Sequence, residues 1–400
     1  MSNPAARRAE FIGGLIIMLA AVIGFAAANS PLSEAFLELR NTHFGPESLG
    51  LNLSLGHWAS DGLLAIFFFT VGLELKREFA EGELRSPATA VVPIAAAFGG
   101  VALPALIYIA FNAGNGTLHG WAIPTATDIA FAVAVLGLVA PRINPTLRMF
   151  LLTLAVVDDF IAIAIIAIFY TQGLNLLPLL LAIVPAVLFV LLARWKASWF
   201  ANTAWSSWVV LLPIGVVAWA LFVNSGIHAT IAAVVLAFLV PVRDRNGDEV
   251  AARLNARIQP VSAYVAVPIF AFFSAGVPLG ATEGFPFGPV ALGIMLGLVL
   301  GKPIGITLTT WLLLRFTKAT LGSNLSWREV VGVGAIAGVG FTVAMLVAEL
   351  SFEDPGLVDT ARLAVMVGSI LAVVVGAVIL VPGAKRRAAE REAASRTPSE

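Results

Sequence analysis

Cysteine is absent from the 400 residues, and only 12% of them are charged. The first absence removes disulfides, thiolate metal centres, iron–sulfur clusters and cysteine nucleophiles. The second, set against roughly 25% charged residues in soluble proteins, leaves too little polar surface for a water-soluble fold. Nucleic-acid binding and cytosolic catalysis drop out with that surface, and with a net charge of zero no global field recruits an acidic or basic partner. With only four histidines, ionic chemistry falls to carboxylates, those few imidazoles and a few lysines. What the chain has in quantity is apolar: 59% hydrophobic residues, a mean hydropathy of +0.93, and 36 Gly and 22 Pro. Gly and Pro at that density inside apolar stretches suit packed transmembrane helices.

A bilayer core about 30 Å thick needs about 20 helical residues. Apolar runs of that order occur twelve times, at 11–28, 58–79, 90–112, 121–140, 148–170, 174–193, 205–222, 226–240, 258–279, 288–314, 328–350 and 359–381. The fold class read from this is an all-α polytopic membrane protein of about 12 transmembrane helices. The first run follows Arg7 and Arg8 and ends in three alanines, as a cleaved signal peptide does, but its apolar core is too long for one. All of the 24 Lys and Arg except Arg40, Lys302 and Arg362 fall on one side of this topology. The positive-inside rule then puts both termini in the cytoplasm. Residues 1–384 read as one transmembrane domain, and 385–400 as a charged, frayed cytoplasmic tail.

Between the first two runs Leu49, Leu51, Leu53 and Leu55 alternate with Gly50, Asn52 and Ser54. That period-2 pattern predicts an extracytoplasmic strand within a hairpin over 41–57, the alternative being a loop with chance alternation.

The fourth run carries Pro124 between Ile123 and Thr125, followed by Ala126, Thr127 and Asp128. Proline lacks an amide and threonine can satisfy freed backbone groups, so a helix break is predicted here. The eleventh run holds Gly332, Gly334, Gly338 and Gly340 before Phe341 and Thr342. These glycines permit unwinding, or equally a close-packed helix face. The two runs are seven spans apart, so runs 3–5 (about 90–170) and 10–12 (about 288–381) enter the membrane from opposite sides. Such an inverted repeat with paired interruptions points to a substrate site at the membrane midplane of a secondary transporter.

Four ionisable residues lie at membrane depth: Asp158 and Asp159 in the fifth run, Asp128 in the broken fourth and Lys302 in the tenth. At roughly 2.5–3.5 kcal/mol each the sum is about 10–14 kcal/mol, comparable with the net stability of a whole domain. A purely structural ion-pair network is the bland alternative. Crossed broken helices bring like dipole ends together, so Asp128 can neutralise two N-termini, and Lys302 can neutralise two C-termini or pair with Asp158. Adjacent carboxylates titrate as a coupled unit. Oxygen ligands from Asp158, Asp159 and Thr127 suit a small hard cation, and the lack of cysteine and clustered histidine argues against zinc or copper. A cation that competes with protons at one alternately exposed site is exchanged for them, which is antiport. If two protons leave per monovalent cation, membrane potential drives the cycle at about 2.3 kcal/mol per charge per 100 mV.

These motifs resemble the bacterial NhaA-type sodium/proton antiporters, over nearly the whole chain. The resemblance rests on Val71-Gly72-Leu73-Glu74 through Glu78, Trp121 through Pro124, Asp128 through Ala132, Asp158-Asp159, Ser225 through Thr230, Gly301-Lys302-Pro303 and Gly338 through Thr342. It implies export of Na+ or Li+ bound at Asp158 and Asp159 in exchange for H+, Lys302 interacting with Asp158, and Thr127 and Asp128 supporting the helix crossing. It implies no cofactor and no enzyme activity. It further implies a multi-pass protein of the bacterial inner membrane, in contact with lipid, forming a homodimer partly through the extracytoplasmic hairpin. Activity rising at alkaline pH is implied through Glu74, Arg77 and Glu78, with His228 matching its own motif. An interfacial ion network at the first three, and a hydrogen-bonded packing role for His228, are the competing readings. Asn255 and Gln259 stand where well-known members carry an acid and a histidine, which puts the pH threshold in question.

Three other classes fit less well. An intramembrane aspartyl protease would pair Asp128 with Asp158 or Asp159, but its Gly-x-Gly-Asp type motif is missing. A retinal-binding pump would use Lys302 as a Schiff base, yet has seven spans and no interrupted pair. A cation channel is built from rings of carbonyls or charges, whereas buried proton-binding carboxylates fit stepwise exchange.

Overall fold

The computed structural model describes residues 4–47, 50–140, 144–171, 173–282, 284–319 and 326–396. Among them nine helices are long and apolar enough to cross a membrane, or eleven when each of two bent pairs is taken as one span. The remaining apolar run is shorter than the sequence suggested. Its helix covers only Ala229–Leu239, because Gly226 adopts φ +81° and the chain turns before His228. Eleven residues rise about 16 Å, about half the hydrocarbon thickness. The chain separates into two compact units by its internal contacts, one made of Met1–Leu15, Ser86–Ala162 and Gly280–Glu400, the other of Ile16–Arg85 and Ile163–Leu279.

The first unit contains two sets of the same order. One runs through the helix Pro87–Asn112, the bent pair Leu118–Thr125 and Ile129–Val139, and the helix from Pro145. The other runs through Pro289–Phe316, the bent pair Trp327–Ile336 and Phe341–Ser351, and Pro355–Arg396. The bends are 44° and 51°. The leading helices of the two sets cross with their backbones in contact: a Cβ on Gly305 would lie 2.1 Å from the Gly99 carbonyl oxygen, and one on Gly99 would lie 2.4 Å from that of Gly305. Only glycine permits this approach. Trp327–Ile336 starts on a capping box in which Ser326 and Glu329 satisfy each other's backbone amides. The last helix continues to Arg396, so helical backbone covers most of the segment read as a frayed tail, and 397–400 lie outside the described residues.

In the second unit the span Leu55–Glu81 packs on Ala229–Leu239 at Gly72, where a Cβ would meet the Ala237 side chain at 2.7 Å. The Trp58 and Trp219 rings stack at 5.6 Å. A core of Leu73, Phe189, Ala193, Phe200, Leu236 and Leu254 joins five segments. Leu176–Trp195 shows large apolar side chains to its surroundings, Leu177 and Val184 among them, as a lipid-facing helix does. The hairpin consists of two two-residue strands, with His43 opposite Ser54 and Phe44 opposite Leu53. The leucine alternation therefore does not form one strand. Leu51 is buried against Trp219 and Ala229, Leu55 begins a helix whose cap is the Ser54 side chain, and Leu49 lies outside the described residues.

Candidate functional site

Proline, threonine and glycine interrupt two helices of the first unit, and the interruptions meet. The Asp128 amide donates to the Val339 carbonyl at 2.7 Å, so the extended segment after Thr125 runs beside the turn at 337–340. A Cβ on Gly340 would sit 2.9 Å from the Ala126 carbonyl oxygen, so this crossing needs glycine. The buried Asp128 carboxylate accepts the Phe131 amide at 2.9 Å on Oδ1 and the Thr342 amide at 3.0 Å on Oδ2. One carboxylate thus caps two helix N-termini, Ile129–Val139 and Phe341–Ser351. It supplies negative charge where two helix dipoles leave partial positive charge.

The opposite helix ends gather around Thr127. Its hydroxyl lies 2.5 Å from Asp158 Oδ2 and 2.8 Å from the Ala337 carbonyl oxygen, and accepts from Lys302 Nζ at 2.8 Å. One hydroxyl proton serves one of its two acceptors at a time. Lys302 also donates to Asp158 Oδ2, which makes the two side chains an ion pair. Lys302 is 0% exposed, Asp158 1% and Asp159 3%. Lys302 follows a π turn, Gly297–Gly301, within Pro289–Phe316, and Pro303, which has no amide to donate, comes next. Asp158 Oδ1 has no hydrogen-bond partner among the described residues. Asp159 follows on the same helix, about 100° further round, and its charge acts on Lys302.

The structure therefore brings together Thr127, Asp158 and Lys302 directly, with Asp159 adjoining and Asp128 one residue from Thr127 at the crossing. Carboxylate, hydroxyl and freed carbonyl oxygens form a hard-donor set able to strip water from a small cation. Among the described residues no group of three or more His, Asp or Glu converges as a resident metal centre would require. A breakable ion pair in low dielectric, with an open carboxylate oxygen beside it, can trade an ammonium for another cation and couple that trade to protons.

The four residues assigned to pH response lie in the second unit, and they do not form one cluster. Glu74 accepts from the Asn255 side-chain amide at 2.9 Å. Glu78 accepts the Glu83 amide at 3.1 Å, and the Arg77 charge acts on Glu81. His228 sits at the start of Ala229–Leu239, its ring bonded to the Tyr170 carbonyl at 2.7 Å. Lys76, two residues from Glu74, reaches the other end of that helix, so about 16 Å of helix separates His228 from the acidic group. In the loop beyond, the hydrogen bond to Glu81 holds the Arg243 guanidinium above its ordinary range.

Two contributors escaped sequence reasoning. Lys76 donates to the Phe238 carbonyl at 2.6 Å and to the Val240 carbonyl, closing a helix C-terminus. In the sequence it is one of the lysines and arginines on the cytoplasmic side, and its place four residues beyond Gly72, on a helix face, is the available signal. Ser369 accepts the Gly340 amide at 3.3 Å, and nothing in its neighbourhood of Gly, Ile and Leu distinguishes it in sequence.

The sequence model of the family described as "Na+/H+ antiporter 1" matches residues 5–380. The chain is 52% identical over 385 residues to the Na(+)/H(+) antiporter NhaA of Arthrobacter sp. (strain FB24), covering 93% of this chain and 84% of that one. It is 49% identical to the protein of the same name from Mycolicibacterium smegmatis, covering 93% and 86%. Its fold resembles that of the sodium proton antiporter MjNhaP1 from Methanocaldococcus jannaschii at pH 8, with a TM-score of 0.55, 16% identity and coverage of 94% and 96%.

Proposed function

The chain belongs to the Na+/H+ antiporter 1 family, a multi-pass membrane transporter and not an enzyme, exchanging sodium ions for protons, and we propose that the exchange takes place at Asp158, Asp159 and Thr127. The observation that carries this reading is the buried ion pair of Lys302 and Asp158, with Asp158 Oδ1 left open. A buried pair is weak support for stability but a strong commitment of charge to one place.

Arriving Na+ or Li+ competes with the Lys302 ammonium for Asp158. Once displaced, the ammonium sits in low dielectric without its main partner, which favours loss of its proton. Asp159 supplies a second carboxylate to the cation and gives up its own proton on binding. Lys302 and Asp159 as two carriers make the cycle move net charge, so it is electrogenic. Protons returning from the other side of the membrane reload both groups, restore the ion pair and expel the cation. Asp128 keeps two helix N-termini from repelling each other and so holds the crossing in register. The two sets of helix, bent pair and helix are inverted repeats, and the site at their breaks opens alternately to each side. Activity rises at alkaline pH through Glu74, Arg77 and Glu78. The protein works in the bacterial inner membrane as a homodimer, with both termini cytoplasmic.

The test is reconstitution in vesicles with an internal pH dye and an acid interior. Addition of outside sodium or lithium should alkalinise the interior, and Asp158→Asn should abolish this. Equal sodium-driven proton movement by folded Asp158→Asn protein would sink the assignment.

A further inference from the structure

Arg362 is 4% exposed, and the exchange mechanism above gives it no task. It lies on the last helix, and its Nη2 donates across to Glu349 Oε2 at 3.0 Å, near the far end of the half-helix Phe341–Ser351. The near end of that half-helix is held by the same neighbour, where the Gly340 amide donates to the Ser369 hydroxyl. Arg362 and Ser369 are seven residues apart, two helical turns, and so share a face. Gly340 and Glu349 span the half-helix in the opposite chain direction. The last helix thus grips the half-helix at both ends, in antiparallel register.

We propose that Arg362 is a positioning residue for cation binding: with Ser369 it splints Phe341–Ser351 to the last helix, so that the break at 337–340 is held against Thr127 and Asp128. This rests on the reading of Asp158 as the cation site. Three site contacts depend on where that half-helix and its preceding turn lie, namely the Ala337 carbonyl on Thr127, the Val339 carbonyl on the Asp128 amide, and the Thr342 amide on Asp128. A tilt of the half-helix displaces all three together. The chemistry of the Arg362 contact fits a geometric task better than a stabilising one. Of five guanidinium donors one makes an observed hydrogen bond, and Nε has no partner among the described residues. Asp359, one turn back on the same helix, lies 3.7 Å from Nη1, close enough to balance charge and too far for a hydrogen bond. A stabilising guanidinium is saturated by acceptors; this one spends its single short bond on the partner helix.

The experiment is sodium titration of exchange in dye-loaded vesicles at fixed pH, with thermal melting of each variant. Glu349→Ala removes the far grip while Asp359 still balances Arg362, and Ser369→Ala removes the near one. Each should raise the half-saturating sodium concentration about 3- to 10-fold while the maximal rate stays within about 2-fold. Arg362→Lys keeps charge and reach and should stay within about 2-fold of the parent, whereas Arg362→Ala should behave as Glu349→Ala. Should Arg362→Ala not fold, Glu349→Ala and Ser369→Ala still decide. Melting temperatures that fall with an unchanged sodium requirement would overturn the proposal and leave a plain stabilising pair. Asp158→Asn in the same series separates the two inferences: if it abolishes exchange while Glu349→Ala and Ser369→Ala titrate like the parent, the splint alone fails, and if it exchanges normally, the site reading fails first.

Discussion

Replacing Asp128 tests whether one carboxylate serves two helices. It accepts the Phe131 amide at 2.9 Å and the Thr342 amide at 3.0 Å, one on each oxygen. Loss of an N-cap costs about 0.5–2 kcal/mol, so Asp128→Ala, which removes two, should cost about 1–4 kcal/mol. The upper end is the expectation, since both amides are left at a buried position and two dipole ends lose their counter-charge. Asp128→Asn keeps an acceptor for one amide only and turns a donor toward the other, so its cost should fall between those of the parent and alanine. The assay is thermal unfolding in detergent, read beside sodium-dependent exchange in vesicles. The predicted order of melting temperature is aspartate, asparagine, alanine, with exchange falling in the same order as the crossing loosens. Equal destabilisation by Asn and Ala would refute the two-oxygen account, and an alanine variant with parental melting and exchange would refute the capping role altogether.

Three further outcomes follow from single contacts. Lys302→Met strips the counter-ion from a fully buried Asp158, which should cost about 3–5 kcal/mol and lower the melting temperature; an unchanged melting curve would mean that Asp158 is protonated in the resting protein. Lys76→Met frees two carbonyls at the end of Ala229–Leu239, for about 1–3 kcal/mol of stability, with the half-saturating sodium concentration unaltered; a changed sodium requirement would tie that helix end to the transport site. Glu74→Gln keeps an acceptor for Asn255 but removes the charge, so the rate–pH profile in vesicles should shift or flatten, and a superimposable profile would remove Glu74 from pH response.

The apolar run lengths made the helices legible, and the buried charges marked the site, because both are local properties of the sequence. The partners of those charges were less accessible. Thr127 and Asp128 find the carbonyls of Ala337 and Val339 about 210 residues away, and a backbone carbonyl carries no sequence signature. The glycines of the eleventh run allowed either a break or a close-packed face. The structure has both, since Gly338 lies just past the end of one helix and Gly340 at the start of the next, while a Cβ on either would press on the Leu298 or the Ala126 carbonyl oxygen. The leucine alternation at 49–55 misled because a period of two persists into a helix start. Ser54 caps that helix through the His57 amide, a local competitor that the hydrophobic pattern does not register.

The π turn at Gly297–Gly301 places one more residue in a helical turn than the α-helix on either side of it. The surplus residue is absorbed inside a single turn, so the α-helix before it and the α-helix that Lys302 opens keep nearly the register of one unbroken helix. Deleting one residue of Gly297–Gly301 should let that turn close into regular α geometry and leave the direction of Lys302 nearly unchanged, whereas deleting one residue from the regular helix before the π turn has no such slack and turns everything beyond it by about 100°. The buried ammonium therefore stands next to the one stretch of its helix that holds spare chain length, and the ion pair with Asp158 is more exposed to a deletion in the regular turns than to one in the irregular turn.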